Sequence, residues 1–195
     1  MPIDRPITKF GGQPVWIGSP TWALGSDGEP MTFLAQVSIP GVEGMAYLFL
    51  DPSEETWASP YDGSALLMQP GPAPERYVAQ ASGPTYVSGF TELDRYVPRL
   101  RTRRVEYVPT LEEGLEPIDW EDLDHDREDE RDDDRDWNKI GGSPRYLQGG
   151  PPDPVGLRFL FQFTASQIGH ERGDAAECFG FIDEERRGYF LIESH

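Results

Sequence analysis

A chain of 195 residues with 35 acidic and 17 basic side chains carries a formal charge of -18. That charge excludes nucleic acid as a partner, because phosphates would be repelled, and suits a partner that is itself basic. Gly 21 and Pro 19 make up about a fifth of the chain, too little for a low-complexity sequence, and the single cysteine, Cys178, excludes an internal disulfide and a cysteine-rich zinc site.

Taken in chain order, the amino terminus MPIDRPITKF has no apolar h-region, and no run approaches the roughly 18 apolar residues of a membrane span. Neither a signal peptide nor a membrane segment is expected, and the expected compartment is the cytoplasm. Lys9-Phe10-Gly11-Gly12-Gln13-Pro14-Val15-Trp16 then reads as a turn, followed by the apolar runs Phe33–Val37, Tyr47–Asp51 and Gly63–Gln69. Each run is short, aromatic and branched, and bounded by turn-formers, so strands are expected. RYVAQASG, TYVSGF and RVEYVP, beginning at residues 76, 85 and 104, are weaker strand candidates, with Pro98 and Pro109 limiting what can pair. TELDRYVPRL, residues 91–100, is expected to hold one helical turn.

The segment 112–136 carries fifteen acidic residues against three arginines, so -12 of the -18 resides there and the rest of the chain is close to ordinary. Asp124, Glu128 and Asp132 each precede an arginine by three residues. As i,i+3 pairs they would stabilise a helix by about 0.2–0.5 kcal/mol each, against the poor helix propensity of Asp. The expectation is a short, frayed, exposed helix with Trp120, Leu123 and Trp137 at its ends. As a steering surface for a basic protein its contact residues would be Glu128, Asp129, Glu130, Asp132, Asp133, Asp134 and Trp137.

Beyond it the opening pattern returns. Lys139-Ile140-Gly141-Gly142-Ser143-Pro144-Arg145-Tyr146 is followed, in the same order, by Phe159–Phe163, Phe179–Asp183 and Gly188–Ile192. The expected fold is therefore α+β and β-rich: a single domain, 1–195, with internal duplication of a Gly-Gly turn plus three-stranded meander. The halves run over about 8–70 and 138–195, joined through the acidic connecting segment 112–136.

Residues that carry chemistry are scarce. Neither Gly-Gly pair stands in a phosphate-binding motif, and both read as backbone turns, with Lys9 and Lys139 as surface or salt-bridge residues. Ser19, Ser59 and Ser194 lack a nucleophile-elbow setting, and Cys178 reads as apolar filler within a strand. His125, His170 and His195 have no metal-ligand spacing, although His170 with Asp174 is the least unsuitable pair. The acidic run lacks the glycine and terminal glutamate of a calcium loop. No catalytic residue, metal site or cofactor is expected. Of the five tryptophans, three or four are expected in the core and one or two at a binding surface. A cleft between the halves floored by Gln36 and Gln162 is one alternative, and a carboxylate-based enzyme around Asp51 and Asp183 is another, although those aspartates read more simply as turn residues ending a strand.

The paired Lys-x-Gly-Gly-x-Pro motifs, the runs MTFLAQVSIPG and AYLFLD after the first, and LRFLFQF, GDAAECFGFID and a carboxyl-terminal strand after the second resemble the YwqG-like family of bacterial proteins over Thr8 to His195. The resemblance implies a single duplicated β-rich α+β domain and no set of catalytic residues. Because members recur beside toxin genes, it also implies an immunity role: a non-enzymatic cytoplasmic protein that neutralises a cognate toxin by direct binding. The density of the acidic segment departs from the family pattern, so a role placed there does not come from the family.

Overall fold

The computed structural model describes residues 3–51, 63–85, 93–94, 97–98, 112–113, 138–147, 156–164 and 176–194. The strands are β1 (Lys9–Phe10), β2 (Trp22–Ala23), β3 (Thr32–Ser38), β4 (Met45–Leu50), β5 (Ser64–Gln69), β6 (Tyr77–Val78), β7 (Leu93–Asp94), β8 (Val97–Pro98), β9 (Glu112–Glu113), β10 (Lys139–Ile140), β11 (Arg158–Thr164), β12 (Ala176–Ile182) and β13 (Gly188–Ser194). Among the described residues the fold is β-rich and contains no helix. At residues 91–100, where a helical turn was expected, Leu93 pairs with Pro98 and Asp94 with Val97. Proline cannot extend a helix, and it biases Val97 toward extended backbone. The acidic stretch likewise begins as strand, since Glu112–Glu113 form β9; its remainder, with the expected helix, lies outside the described residues.

One sheet runs β1-β3-β4-β5-β13-β12-β11-β10-β9. The first eight of these are antiparallel neighbours, and β9 joins β10 in parallel. The sheet is curled, as two rings show. Phe10 on β1 and Phe163 on β11 have centroids 4.7 Å apart, although six strand spacings would separate them by about 29 Å in a flat sheet. Curling gathers Phe10, Ala35, Val37, Leu48, Met68, Phe163 and Phe190 into one inner core. Outer-face residues form two further clusters, one around Trp22, Tyr47 and Phe49 and the other around Phe179, Phe181 and Leu191. Both faces of β4 are thereby covered, which explains its unbroken apolar sequence MAYLFL.

The two stretches that read alike in sequence also pair alike. Lys9 opposes Gln36 as Lys139 opposes Gln162. β3 bulges between Phe33 and Ala35, and β11 bulges between Phe159 and Phe161. The carbonyl of the extra residue, Leu34 or Leu160, accepts from Gly11 N or Gly141 N at 2.8 Å in both cases. All four turn glycines have positive φ, from 67° to 75°, so their place is set by backbone geometry as the sequence suggested. The inner faces differ in one informative way. At matched positions Ala35 faces Leu48 and Phe161 faces Gly180, so the large and small partners have exchanged strands.

The halves meet where β5 lies beside β13. Gly188 pairs with Leu66, and Ser64 Oγ donates to Phe190 O at 2.7 Å. Arg186, at φ 65° in the β12–β13 turn, reaches across to Pro70 O at 2.7 Å and Glu43 O at 2.5 Å. Those two bonds hold a left-handed conformation that ordinarily costs about 1 kcal/mol or more.

Candidate functional site

Polar side chains on the outer face form a row in each half, covered by the backbone segment that leaves the Gly-Gly turn. In the first half Lys9, 1% exposed, donates from Nζ to Gln13 O at 2.7 Å and Ile3 O at 3.0 Å. Gln36 accepts from Val15 N at 2.8 Å and donates to Ile7 O at 2.9 Å. The Tyr47 hydroxyl accepts from Ile17 N at 2.9 Å and donates to Val15 O at 3.0 Å. Gln69 accepts from Gly18 N at 3.1 Å and donates to Ser19 O at 2.7 Å. Burial pushes the Tyr47 phenol up to about 12, with its bond from Ile17 N pulling the other way.

Lys9 is therefore no surface residue, and Lys139 is equally buried at 1%. The sequence misleads here because a lysine within a Gly-Gly turn reads as exposed. The curled backbone instead surrounds the Lys9 ammonium with carbonyl groups, which replace water.

The second half keeps the geometry and changes the chemistry. Gln162 accepts from Arg145 N at 2.8 Å and donates to Arg145 O at 3.0 Å. The β4 partner of Ser38 is Met45, whereas the β12 partner of Thr164 is Glu177; the next strand offers Gln69 in the first half and Glu193 in the second. Glu193 Oε2 accepts from Leu147 N at 2.6 Å, so it secures the covering segment as Gln69 does. Phe179 replaces Tyr47 and packs against Tyr146 with ring centroids 5.1 Å apart and planes tilted by 37°. Glu177 is 3% exposed. Burial pushes its carboxyl up to about 8, opposed by a bond from Gln162 and by Arg145 and assisted by Glu193. Perturbed groups of this kind gather at functional sites. Sequence reasoning missed Glu177. The available signal was a glutamate inside the otherwise apolar run AECFGFI, at a place where the first half has methionine.

The other sequence candidates do not assemble. Gln36 and Gln162 are each spent on their own half's covering segment rather than sharing a cleft. Successive antiparallel steps make β4 and β12 opposed in direction, so Asp51 and Asp183, which follow them, stand at opposite ends of the sheet. Asp183 is a turn residue, as its position suggested. Although desolvation would raise it, Arg187 and Tyr189 hold its carboxyl below the usual range, with Arg187 Nε at 2.7 Å. Asp51 is buried and accepts from Ser26 N at 3.1 Å; it borders a cleft of ≈ 410 Å³ with Ser64, Glu75 and Arg76. A second cleft, ≈ 570 Å³, lies beside Ile17, Glu43, Gln69 and Gly71.

Cys178 is buried within β12, with the thiol pushed well up by burial and by Glu177. Trp22 is fully buried and Trp16 partly so, its Nε1 donating to Ala81 O at 2.9 Å. Glu128, Asp129, Glu130, Asp132, Asp133, Asp134 and Trp137 lie outside the described residues, as do Trp57, Trp120, Ser59 and the three histidines. Among the described residues no group of three or more His, Cys, Asp or Glu could hold a metal, and no helix is long and apolar enough to cross a membrane.

No protein-family model, curated protein or solved structure matches this chain.

Proposed function

We propose that this chain is an internally duplicated, non-enzymatic cytoplasmic binding protein that neutralises a basic protein domain by direct contact, in the manner of a toxin-immunity protein. The observation that carries the reading is where its charge is attached. The acidic stretch begins at β9 and returns to the sheet at β10, and those strands are adjacent. The segment that carries most of the net charge thus leaves from and returns to neighbouring strands at one sheet edge, and a concentration of one sign of charge steers an oppositely charged partner and speeds its association. The matched registers of the two halves support duplication, and with it the resemblance to YwqG-like proteins. The first-half row supports a scaffold role for the repeated motifs, since Lys9, Gln36, Tyr47 and Gln69 all hold backbone.

The test is capture of basic domains encoded beside this gene, followed by titration calorimetry at two salt concentrations. Binding that weakens with salt and is lost when Glu128, Asp129, Glu130, Asp132, Asp133 and Asp134 become amides is the expected result. Affinity indifferent to salt and to those substitutions would remove the charge-steering reading. A second reading, a small-ligand or peptide module, is favoured by the ≈ 570 Å³ cleft beside Ile17 and Gln69; an ordered ligand there would select it.

A further inference from the structure

Glu177 faces Glu193 across a registered antiparallel pair, which places both side chains on one face with Cβ atoms about 5 Å apart. Its Oε2 has no hydrogen-bond partner, donor or acceptor, which costs a neutral O–H far less than it costs a charge. A carboxylate accepts on both oxygens, and a buried charge with one oxygen undonated is costly. The groups around it, strand by strand, are Glu193 from β13, Gln162 and Thr164 from β11, and Arg145 from the segment after β10. Tyr146 packs against the neighbouring Phe179, Lys139 of β10 stands opposite Gln162, and Cys178 points to the inner core. The attraction of Arg145 is thus set against burial and the like charge of Glu193.

The first half serves as an internal comparison. The place of Glu177 is held there by Met45, and the place of Glu193 by Gln69. A straight, uncharged side chain fits the position, and a protonated glutamic acid is a straight, uncharged side chain.

We propose that Glu177 is a proton-operated latch: as the neutral acid it lets residues 145–147 sit on the sheet, and its ionisation unseats them. The covering segment depends on the groups that an ionised Glu177 would disturb. Gln162 holds both the N–H and the carbonyl of Arg145, and Glu193 holds Leu147 N. A new charge at Glu177 competes for the Gln162 amide and for Arg145, and it repels Glu193. The direction follows from burial, which moves the group from 4.5 to about 8. The folded state then holds the proton more tightly than the unfolded one. Its contribution is complete below about pH 4.5 and is lost as pH rises through about 8.

The experiment follows the Glu177 carboxyl carbon and the hydrogen-exchange protection of the Leu147 amide by NMR on the full chain. Glu177 should titrate in mildly alkaline solution, and protection at Leu147 should fall about tenfold between about pH 7 and pH 9, tracking the ionised fraction. The Gly18 amide, bound to Gln69 in the first half, should keep its protection, and Glu177→Gln should abolish the fall at Leu147. Glu177→Met, the first half's own solution, gives the same readout if the glutamine variant does not fold. A Glu177 that titrates in the ordinary carboxylate range, a Leu147 amide indifferent to pH, or an equal fall in the neutral variants overturns the proposal.

Discussion

Replacing Gly188 by alanine should weaken the protein in a way that no second substitution in Leu66 can repair. A Cβ at Gly188 would collide with the Leu66 side chain and its carbonyl oxygen, and would stand 2.9 Å from the carbonyl carbon. The side chain can be trimmed but the carbonyl belongs to β5, so the strands must part at the one place where the halves pair. Overpacking of this kind costs about 1–3 kcal/mol. Alanine's greater stiffness in the unfolded chain returns only about 0.4–1 kcal/mol in a compatible site, which leaves a net loss of about 1–2 kcal/mol. Gly180 supplies the contrast, because the three atoms nearest to its Cβ would all belong to the Phe161 ring. Gly180→Ala should cost a similar amount in the native background and little in Phe161→Leu, whereas Gly188→Ala should keep about 1 kcal/mol or more of its cost in Leu66→Ala. Urea denaturation of the two double-mutant cycles measures both couplings. Full rescue of Gly188→Ala by Leu66→Ala, or a Gly188→Ala variant within about 0.5 kcal/mol of the parent, would refute the account of the seam.

Three further outcomes are expected. Gln36→Leu strands Val15 N and Ile7 O, and Gln162→Leu strands both the N–H and the C=O of Arg145, so each should cost about 2–4 kcal/mol by urea denaturation; a change under about 0.5 kcal/mol would mean that water takes over both bonds. Cys178, buried and held as a thiol by its surroundings, should react with an aromatic disulfide reagent only as fast as the protein opens, and prompt labelling of the native protein would contradict that. Tyr47, raised to about 12, favours the folded state fully below about pH 10 and loses that contribution as pH rises through about 12. The absorbance gained on titrating to about pH 11 should therefore be nearly the same in the parent and in Tyr47→Phe.

Most of the strand inventory was legible because six apolar runs were short, bounded and branched, and all six became strands within three residues of their expected ends. The surface reading of Lys9 and Lys139 failed, since both are buried: for Lys9 the carbonyls of Ile3 and Gln13 fold back onto the ammonium, a chain path that residue types alone do not encode. The helical turn expected at 91–100 gave way to the pairing of Leu93–Asp94 with Val97–Pro98, where proline disfavours helix. Glu177 escaped notice for a different reason. Its significance lies in the cross-strand partner Glu193, and that pairing appears only when the strands are set in register. Asp183 was read correctly since its bonds are to Arg187, four residues along, where sequence and space coincide.

The exchanged volumes at Ala35–Leu48 and Phe161–Gly180 make the two halves incompatible donors for each other. Grafting β3 in place of β11 would set alanine against glycine and open a void, while the reverse graft would set phenylalanine against leucine and leave no room for either. A strand can migrate between the halves only with its neighbour, so these positions are bound to drift in concert. A residue change tolerated in one half carries no licence for the equivalent site in the other.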